Sequence, residues 1–548
     1  MDPARAGTSA AWSVALLVLA VYLATFAGLP DVPDAEVEFQ TTSALVRTGR
    51  ADLGGTPEAE ALIAAQFGVA PGVGERAGRW YARYGIGQAL AGVPLYLAGR
   101  ALAAGLPELE ARHALDSAWG ARRSEYFAHL AVGARNPLLG AATASLLVLI
   151  ALRLGLGRST AWCCGMGYGL TTFAWPQARY GLSDVQATFF LVLALHGIAG
   201  RAPRARTAVG VGCALAAAVA TRVAVLPAAL ALLLAALADL GPRSAAGGRS
   251  AVLRACVVAP FALGLALLAA WNRARFGSAL ETGYGHGLDY AGFLAADPLH
   301  GAWSLLVSPG RGLLWMAPAL ALLPLARERA RPPAARLWWR TSLAVGLAVL
   351  VPAACLRGWH GAWTYGPRYL LPLLPFAWLG VGLALESRRG RRPLWRGAAV
   401  GLCGLGLVVQ IAGAAVDAST HLDLGLQAAR EVWPTPAGVG EREMEERRFE
   451  RMQWDWRFAA PWAHLRILRA RLAGAGERFD ARELYFVETS RALEPVHARE
   501  RGFAHLAWVD FQRRLGGSWA PAAALCTLLL ALGLAAGRSA LRAPEPGP

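Results

Sequence analysis

The sequence predicts an all-α polytopic membrane protein with about 12 transmembrane helices, outer-side juxtamembrane helices and a small outer domain. Three observations predict it. Hydrophobic residues make up 55% of the 548-residue chain and charged residues 17%, against about 45–50% and about 25% in ordinary globular chains, and mean hydropathy is +0.37. Apolar runs recur along the chain, many of them near the length of about 17–25 residues that one spanning helix requires. The loops between them alternate between arginine-rich and nearly balanced. A water-soluble enzyme, a disordered chain, collagen and a disulfide scaffold are excluded by the same numbers.

In order, the expected spans are Ala11–Leu29, Asn136–Leu152, Thr160–Pro176, Gln186–Gly200, Thr207–Thr221, Val223–Leu240, Ala255–Trp271, Gly312–Ala326, Thr341–Cys355, Leu370–Glu386, Gly397–Val416 and Trp519–Gly537. Arginines cluster at 153 and 158, 201–206, 243–254, 327–340, 388–396 and after Arg538, in every second loop. Cytoplasmic loops carry the excess of basic residues, so both termini are expected in the cytoplasm of a plasma (inner) membrane protein. Tyr84–Ala104 is apolar enough to span, but counting it would invert every later loop. With Gly85, Gly87, Gly92 and Pro94, it reads as an outer helix on or dipping into the membrane. Met1–Leu29 has features of a signal peptide, yet its removal would spoil the charge alternation, so it reads as an anchor.

This divides the chain into a transmembrane domain (1–416) with a first outer loop (30–135), an extracytoplasmic block (417–518) large enough for a small domain, and a last helix with its tail (519–548). The formal charge of +17 comes from 54 basic residues, all of them arginine, against 37 acidic ones. No basic and aromatic ribbon of a nucleic-acid module accompanies them, so no nucleic-acid partner is expected; membrane lipid is. The seven cysteines have no metal or disulfide spacing and lie in apolar stretches, where Cys behaves as a small hydrophobe.

Chemistry-bearing residues gather in the outward loops. Asp34, Glu36 and Glu38 follow the first span, with Asp31 just before them, and a helix through Thr41–Arg47 can end at Gly49. Asp34 and Glu38 share a helix face. A carboxylate at the water–lipid boundary can gain basicity and serve as a general base; acids at a helix start also suit the dipole and the N-cap. Arg79-Trp80-Tyr81-Ala82-Arg83-Tyr84 reads as an interfacial anchor or as a sugar platform with phosphate-binding arginine. Ser308-Pro309-Gly310-Arg311-Gly312 and Tyr365-Gly366-Pro367-Arg368-Tyr369 each place an arginine at the outer start of a span, beside a helix dipole, which makes an anion site. Arg222 stands in a tight outer turn where an ionisable group commonly faces a cavity. Asp184 can cap its helix or face a ligand. Trp271, Asn272, Arg273, Arg275 and Tyr284 add polar and aromatic groups on that side. Gly165, Gly167 and Gly169 read as helix-packing positions.

In layout the chain resembles the GT-C superfamily of integral-membrane glycosyltransferases, and within it the family 39-like enzymes that use polyprenyl-phosphate sugars. The resemblance rests on Asp34-Ala-Glu36, Tyr81-Ala-Arg83-Tyr84-Gly85-Ile-Gly87, Arg179-Tyr-Gly-Leu-Ser-Asp184, Ser308-Pro-Gly-Arg311-Gly and Tyr365-Gly-Pro-Arg368-Tyr, and extends to about Pro375. It implies an inverting transfer from a polyprenyl-phosphate sugar to an acceptor hydroxyl of a glycan, lipid or protein on the outer face. Asp34, or else Glu36, would be the base, because Ala35 splits the adjacent acids of the family motif. Arg83, Tyr84, Asp184, Arg222, Tyr284, Arg311 and Arg368 would bind substrate. No metal ligand or cofactor is assigned, and a divalent metal stays open. The alternatives are a transporter or flippase of lipid-linked intermediates and a non-catalytic assembly protein; polar groups gathered on one side weigh against transport.

Overall fold

The computed structural model describes residues 3–28, 32–53, 73–112, 115–116, 122–123, 125–200, 204–243, 247–283, 297–328, 333–361, 363–475, 478–488, 491–494 and 506–543. The protein is helical throughout, with three small antiparallel sheets among the described residues. The main helices are α1 (Pro3–Ala24), α2 (Pro33–Thr48), α3 (Ile86–Gly105), α4 (Tyr126–Gly133), α5 (Arg135–Arg153), α6 (Arg158–Leu170), α7 (Ser183–Ile198), α8 (Ala205–Thr221), α9 (Leu226–Arg243), α10 (Gly247–Phe276), α11 (Pro298–Val307), α12 (Pro333–Ala354), α13 (Leu374–Glu386), α14 (Pro393–Ala415), α15 (Ala418–Val432), α16 (Glu441–Trp454), α17 (Ala460–Leu472), α18 (Ala507–Leu515) and α19 (Ala520–Arg542).

Among the described residues, every expected span overlaps helical chain. Among the described residues, seven helical segments are long and apolar enough to cross a membrane by length and composition, and four further apolar helices are 10–17 residues long. The protein is therefore an integral membrane protein, although the full count of twelve exceeds the helices that meet the length requirement. The shortfall has local causes. The segment expected at 312–326 begins with a four-residue helix and continues as a 3-10 run, Pro318–Glu328, interrupted by Pro324. The segment expected at 160–176 ends its helix at Leu170.

Small residues set the closest approaches, as they do between helices in lipid. A Cβ on Gly165 would lie 2.7 Å from Val148 and 2.8 Å from Val14; on Gly167, 2.6 Å from Trp378; and on Gly169, 2.7 Å from Val18. The three glycines thus seat α6 against α1, α5 and α13. The last helix is tied to the first by Ser13 Oγ donating to the Gly533 carbonyl at 2.8 Å.

A strand trio β1 (Asp52–Leu53), β2 (Val73–Arg76) and β3 (Arg79–Ala82) runs in the order β1-β3-β2, and β3 leads into α3. Helices α15 to α17, with the turn residue Phe458 and the short helix Ala481–Tyr485, build a separate apolar core that includes Leu424, Met452, Phe458, Ile467, Leu484 and Tyr485. Helix α18 returns to the start of the chain, where Ala507 N–H donates to the Phe26 carbonyl at 2.8 Å and Trp508 Nε1 to that of Ala24 at 3.0 Å.

The turn from β3 into α3 rests directly on the end of α8. A Cβ on Gly85 would fall against the carbonyl of Ala220 and the backbone of Thr221, which cannot move aside as a side-chain tip could. Gly85→Ala should cost about 1–3 kcal/mol of overpacking and lower the apparent melting temperature in detergent. Gly105→Ala, where the new methyl meets open space, should leave it unchanged.

Candidate functional site

The site begins on α2. Its helix starts after the extended residue Val32, has Pro33 in the first turn, and ends at Gly49 with φ +68, whose N–H donates to the Leu45 carbonyl at 3.2 Å. One face of α2 is fastened to α3 and α4. Glu36 accepts from Gln40 Nε2 at 2.8 Å and stands 3.2 Å from His129 Nε2. Phe39 stacks on the His129 ring at 3.4 Å between centroids. Below them Glu125 accepts from Tyr96 at 2.8 Å, from Arg100 at 2.9 Å and from Arg47. Glu125 has φ +70, a left-handed conformation that is costly for a non-glycine residue.

The other face carries Asp34. Its carboxylate forms an ion pair with Arg368, Oδ2 to Nη1 at 3.3 Å, across 334 residues of sequence. Arg368 opens the 3-10 helix Arg368–Leu373; its Nη2 donates to Tyr369 Oη at 3.3 Å and its guanidinium lies 5.0 Å from the Tyr369 ring centroid. On the same ring, at 5.4 Å, sits Arg222. Arg222 in turn contacts the fully buried Asp184 at 3.3 Å and Ser183 Oγ at 3.4 Å. Arg311, 2% exposed, donates to the carbonyls of His360 and, at 3.4 Å, Gly366. Burial first, and the Arg368 charge second, push its guanidinium down to about 9, so it stays cationic at neutral pH while standing to gain from an anion.

Asp34, Asp184, Arg222 and Arg368 therefore meet around Tyr369, with Arg311 adjoining. Other residues singled out in the sequence lie elsewhere. Glu36 is directed to His129 on the opposite face of α2. Arg83 packs beside Gly283, where an added Cβ would lie 3.0 Å from Arg83 Cγ. Tyr84 lines a neighbouring cleft. Tyr284 and Asp31 lie outside the described residues.

One local explanation is corrected. Asp34 and Asp184 are not helix caps: neither α2 nor α7 has a side-chain cap hydrogen bond, and both carboxylates are paired with arginine instead. Arg368 opens a continuous helical span, Arg368–Glu386, whose first turns are a 3-10 run leading into α13, whereas Arg311 is followed by a four-residue helix and then a 3-10 run. Among the described residues no cluster of three or more His, Cys, Asp or Glu side chains has the arrangement of a metal site.

One turn along α2 from Asp34 is Glu38, which the sequence placed on the same face but not in the site. It is 5% exposed. Burial pushes its carboxyl up to about 8, against the lowering pull of Arg135 and Arg275 and with a smaller upward push from Asp34. Its i,i+4 spacing from Asp34 is the signal that could have favoured it over Glu36.

No protein-family model and no curated protein matches the chain. Solved structures do. The chain is similar to ArnT from Cupriavidus metallidurans bound to undecaprenyl phosphate, at 14% identity and a TM-score of 0.44, over 96% of this chain and 75% of that one. It is also similar to the archaeal oligosaccharyltransferase AglB from Archaeoglobus fulgidus in complex with an inhibitory peptide and a dolichol-phosphate, at 11% identity and a TM-score of 0.41. That second match covers 81% of this chain and 59% of the other. Likeness this distant carries no functional argument; function has to come from the side chains.

The raised Glu38 carboxyl gives a signed expectation. The folded protein keeps this proton while the unfolded chain, near 4.5, releases it, so the stability it contributes is present in acid and is lost as pH rises toward about 8. Glu38→Gln, which cannot ionise, should flatten the fall in melting temperature between pH 5 and pH 8. A slope equal to that of the wild type would reject the assignment.

Proposed function

We propose that the protein is a membrane glycosyltransferase that moves a sugar from a polyprenyl-phosphate donor to an acceptor hydroxyl on the extracytoplasmic face. The observation that carries this reading is the Asp34–Arg368 pair set among Arg222, Arg311 and Asp184. It joins a carboxylate suited to take a proton with a group of guanidiniums suited to a phosphate.

In this mechanism the donor phosphate engages Arg368 and Arg311, which loosens the hold of Arg368 on Asp34. Asp34, released from that pair, accepts the proton of the acceptor hydroxyl as its oxygen attacks the anomeric carbon. The new carbon–oxygen bond forms as the bond to the phosphate oxygen breaks; the electron pair stays on the departing polyprenyl phosphate. The arginines stabilise the charge that grows there. Attack opposite the leaving group inverts the anomeric configuration. Arg222 is held by Asp184 rather than by Asp34, which leaves it to steady Tyr369 between the two arginines. The alternating arginine loops support cytoplasmic termini and an outward-facing site.

Asp34→Asn should lower the rate of polyprenyl phosphate release from a labelled polyprenyl-phosphate sugar by about 10²–10⁴-fold, with protein level and melting temperature retained. Arg368→Ala should chiefly raise the donor KM. Lipid translocation without donor cleavage by the wild type, measured in proteoliposomes, would replace this reading with a transporter.

A further inference from the structure

One helical turn along α2 from Asp34 lies a tight cleft that holds unpaired polar groups. Glu38, Thr41, Tyr84, Trp271 and Arg275 line it between α2, the end of β3 and the end of α10, and the walls as they stand leave no room for even a water molecule. Three side-chain atoms here are buried without a partner: Glu38 Oε1, Trp271 Nε1 and Arg275 Nε. Glu38 and Arg275 are 5% and 3% exposed. Leaving such groups unpaired costs about 1–3 kcal/mol each, so their convergence on one cleft calls for a ligand that can pair them.

The rest of Arg275 is already committed. Nη1 donates to the carbonyls of Ala82 and, at 3.0 Å, Tyr84, while Nη2 donates to Asn272 Oδ1 at 2.9 Å. Arg275 thereby holds the strand end in place and keeps only Nε for the cleft. Its guanidinium lies 5.0 Å from the Trp271 ring centroid.

We infer that this cleft is the subsite for the sugar ring of the donor, with Glu38, Trp271 and Arg275 selecting among hydroxyl configurations. The inference deepens the proposed transferase reading and rests on it. The chemistry follows from the donor and acceptor set. An apolar ligand leaves all three atoms unpaired, and a cation meets Arg275 and Arg135. A hydroxyl both donates and accepts, so it can pair the carboxyl, the indole N–H and the guanidine N–H together. Position agrees. Four helical residues separate Asp34 from Glu38, an axial rise of about 6 Å. A ring linked to a phosphate at Arg368 would therefore reach past Asp34 toward the cleft. The cleft is narrow throughout, so the ring enters only as its walls part.

The test uses full-length protein in lipid nanodiscs with polyprenyl-phosphate glucose, mannose, galactose and arabinose, reading kcat/KM for each donor. Trp271→Phe removes only the indole N–H, and Glu38→Gln keeps the shape while changing the donor and acceptor pattern. Each should reduce the ratio between the best and the next donor about 10-fold or more, because a site built to pair a hydroxyl discriminates strongly against its absence or misplacement. At pH 5, where Glu38 is neutral in the wild type as well, melting temperatures should stay near the wild-type value. If one variant fails to assemble, Thr41→Val carries the same expectation. Unchanged donor ratios, with wild-type transfer intact and Asp34→Asn inactive, overturn the subsite alone, as does a change confined to the dependence on acceptor concentration. No release of polyprenyl phosphate from any of the four donors, or full turnover by Asp34→Asn, overturns the transferase reading and the subsite with it.

Discussion

The Asp34–Arg368 ion pair brings together two segments that the sequence keeps 334 residues apart, and the arrangement of the site depends on it. At the edge of an apolar bundle neither charge is cheap. An unpaired carboxylate or guanidinium removed from water costs several kcal/mol, so the structure must either pair such groups or expose them. Here both are partly open, the Asp34 side chain at 23% and that of Arg368 at 13%. An ion pair with some access to solvent can be exchanged for another at small net cost. In the Asp184–Arg222 pair the arginine is also partly open, at 21%, but the carboxylate is fully buried, so breaking that pair strands a buried charge and is harder. The two carboxylates differ in this way although both face arginine.

Exchange of partners is useful only if the backbone bearing Asp34 stays still while it happens. The back of α2 supplies that rigidity. Glu36 with His129, Ser43 with Tyr96, and Arg47 with Glu125 tie three turns of α2 to α3, α4 and the residue that precedes α4. The left-handed Glu125 sits where these ties meet. Its side chain draws in two arginines and a tyrosine, and its carbonyl oxygen lies 2.9 Å from His129 Nδ1. Several hydrogen bonds to an ionised acceptor, each worth about 1.5–3 kcal/mol, are enough to offset the backbone cost of that conformation, about 1–3 kcal/mol. One short helix thus divides its labour by face, with scaffold behind and reactive groups in front.

Much of this is legible in the sequence, and the remainder is hidden for physical reasons. Apolar length and arginine alternation reveal the helical segments, and the glycines of α6 announce close packing because nothing larger fits beside Trp378 and the valines. Arg311, Arg368, Arg222 and Asp184 stand out because charge beside an apolar run is expensive. Their partners are not visible, since pairing across hundreds of residues leaves no local trace; a carboxylate at a helix start looks the same whether it caps the helix or meets an arginine from a distant loop. Glu36 was separable from Glu38 by phase alone. Two residues advance a helix by about 200°, four by about 400°, so Glu38 returns to the Asp34 face and Glu36 cannot. Whether a span opens with an α-helix or a 3-10 run depends on packing around prolines such as Pro324 and Pro372, which local pattern does not fix.

The two acids on the front of α2 end in opposite states because of what surrounds their arginines. Arg368 keeps much of its hydrogen-bonding capacity for Asp34 and Tyr369. Arg135 and Arg275, the cations nearest Glu38 in effect, instead donate to backbone: Arg135 to the carbonyls of Gln88 and Gly181, Arg275 to those of Ala82 and Tyr84. Their charge reaches Glu38 only through space, and burial outweighs it. A neutral carboxyl then lies one helical turn from a carboxylate paired to arginine. Two ionised acids side by side repel each other, and burial of Glu38 in its neutral form avoids that repulsion. The same backbone bonds that hold the strand end and the start of α3 in place therefore also set the charge state of the residue beside Asp34.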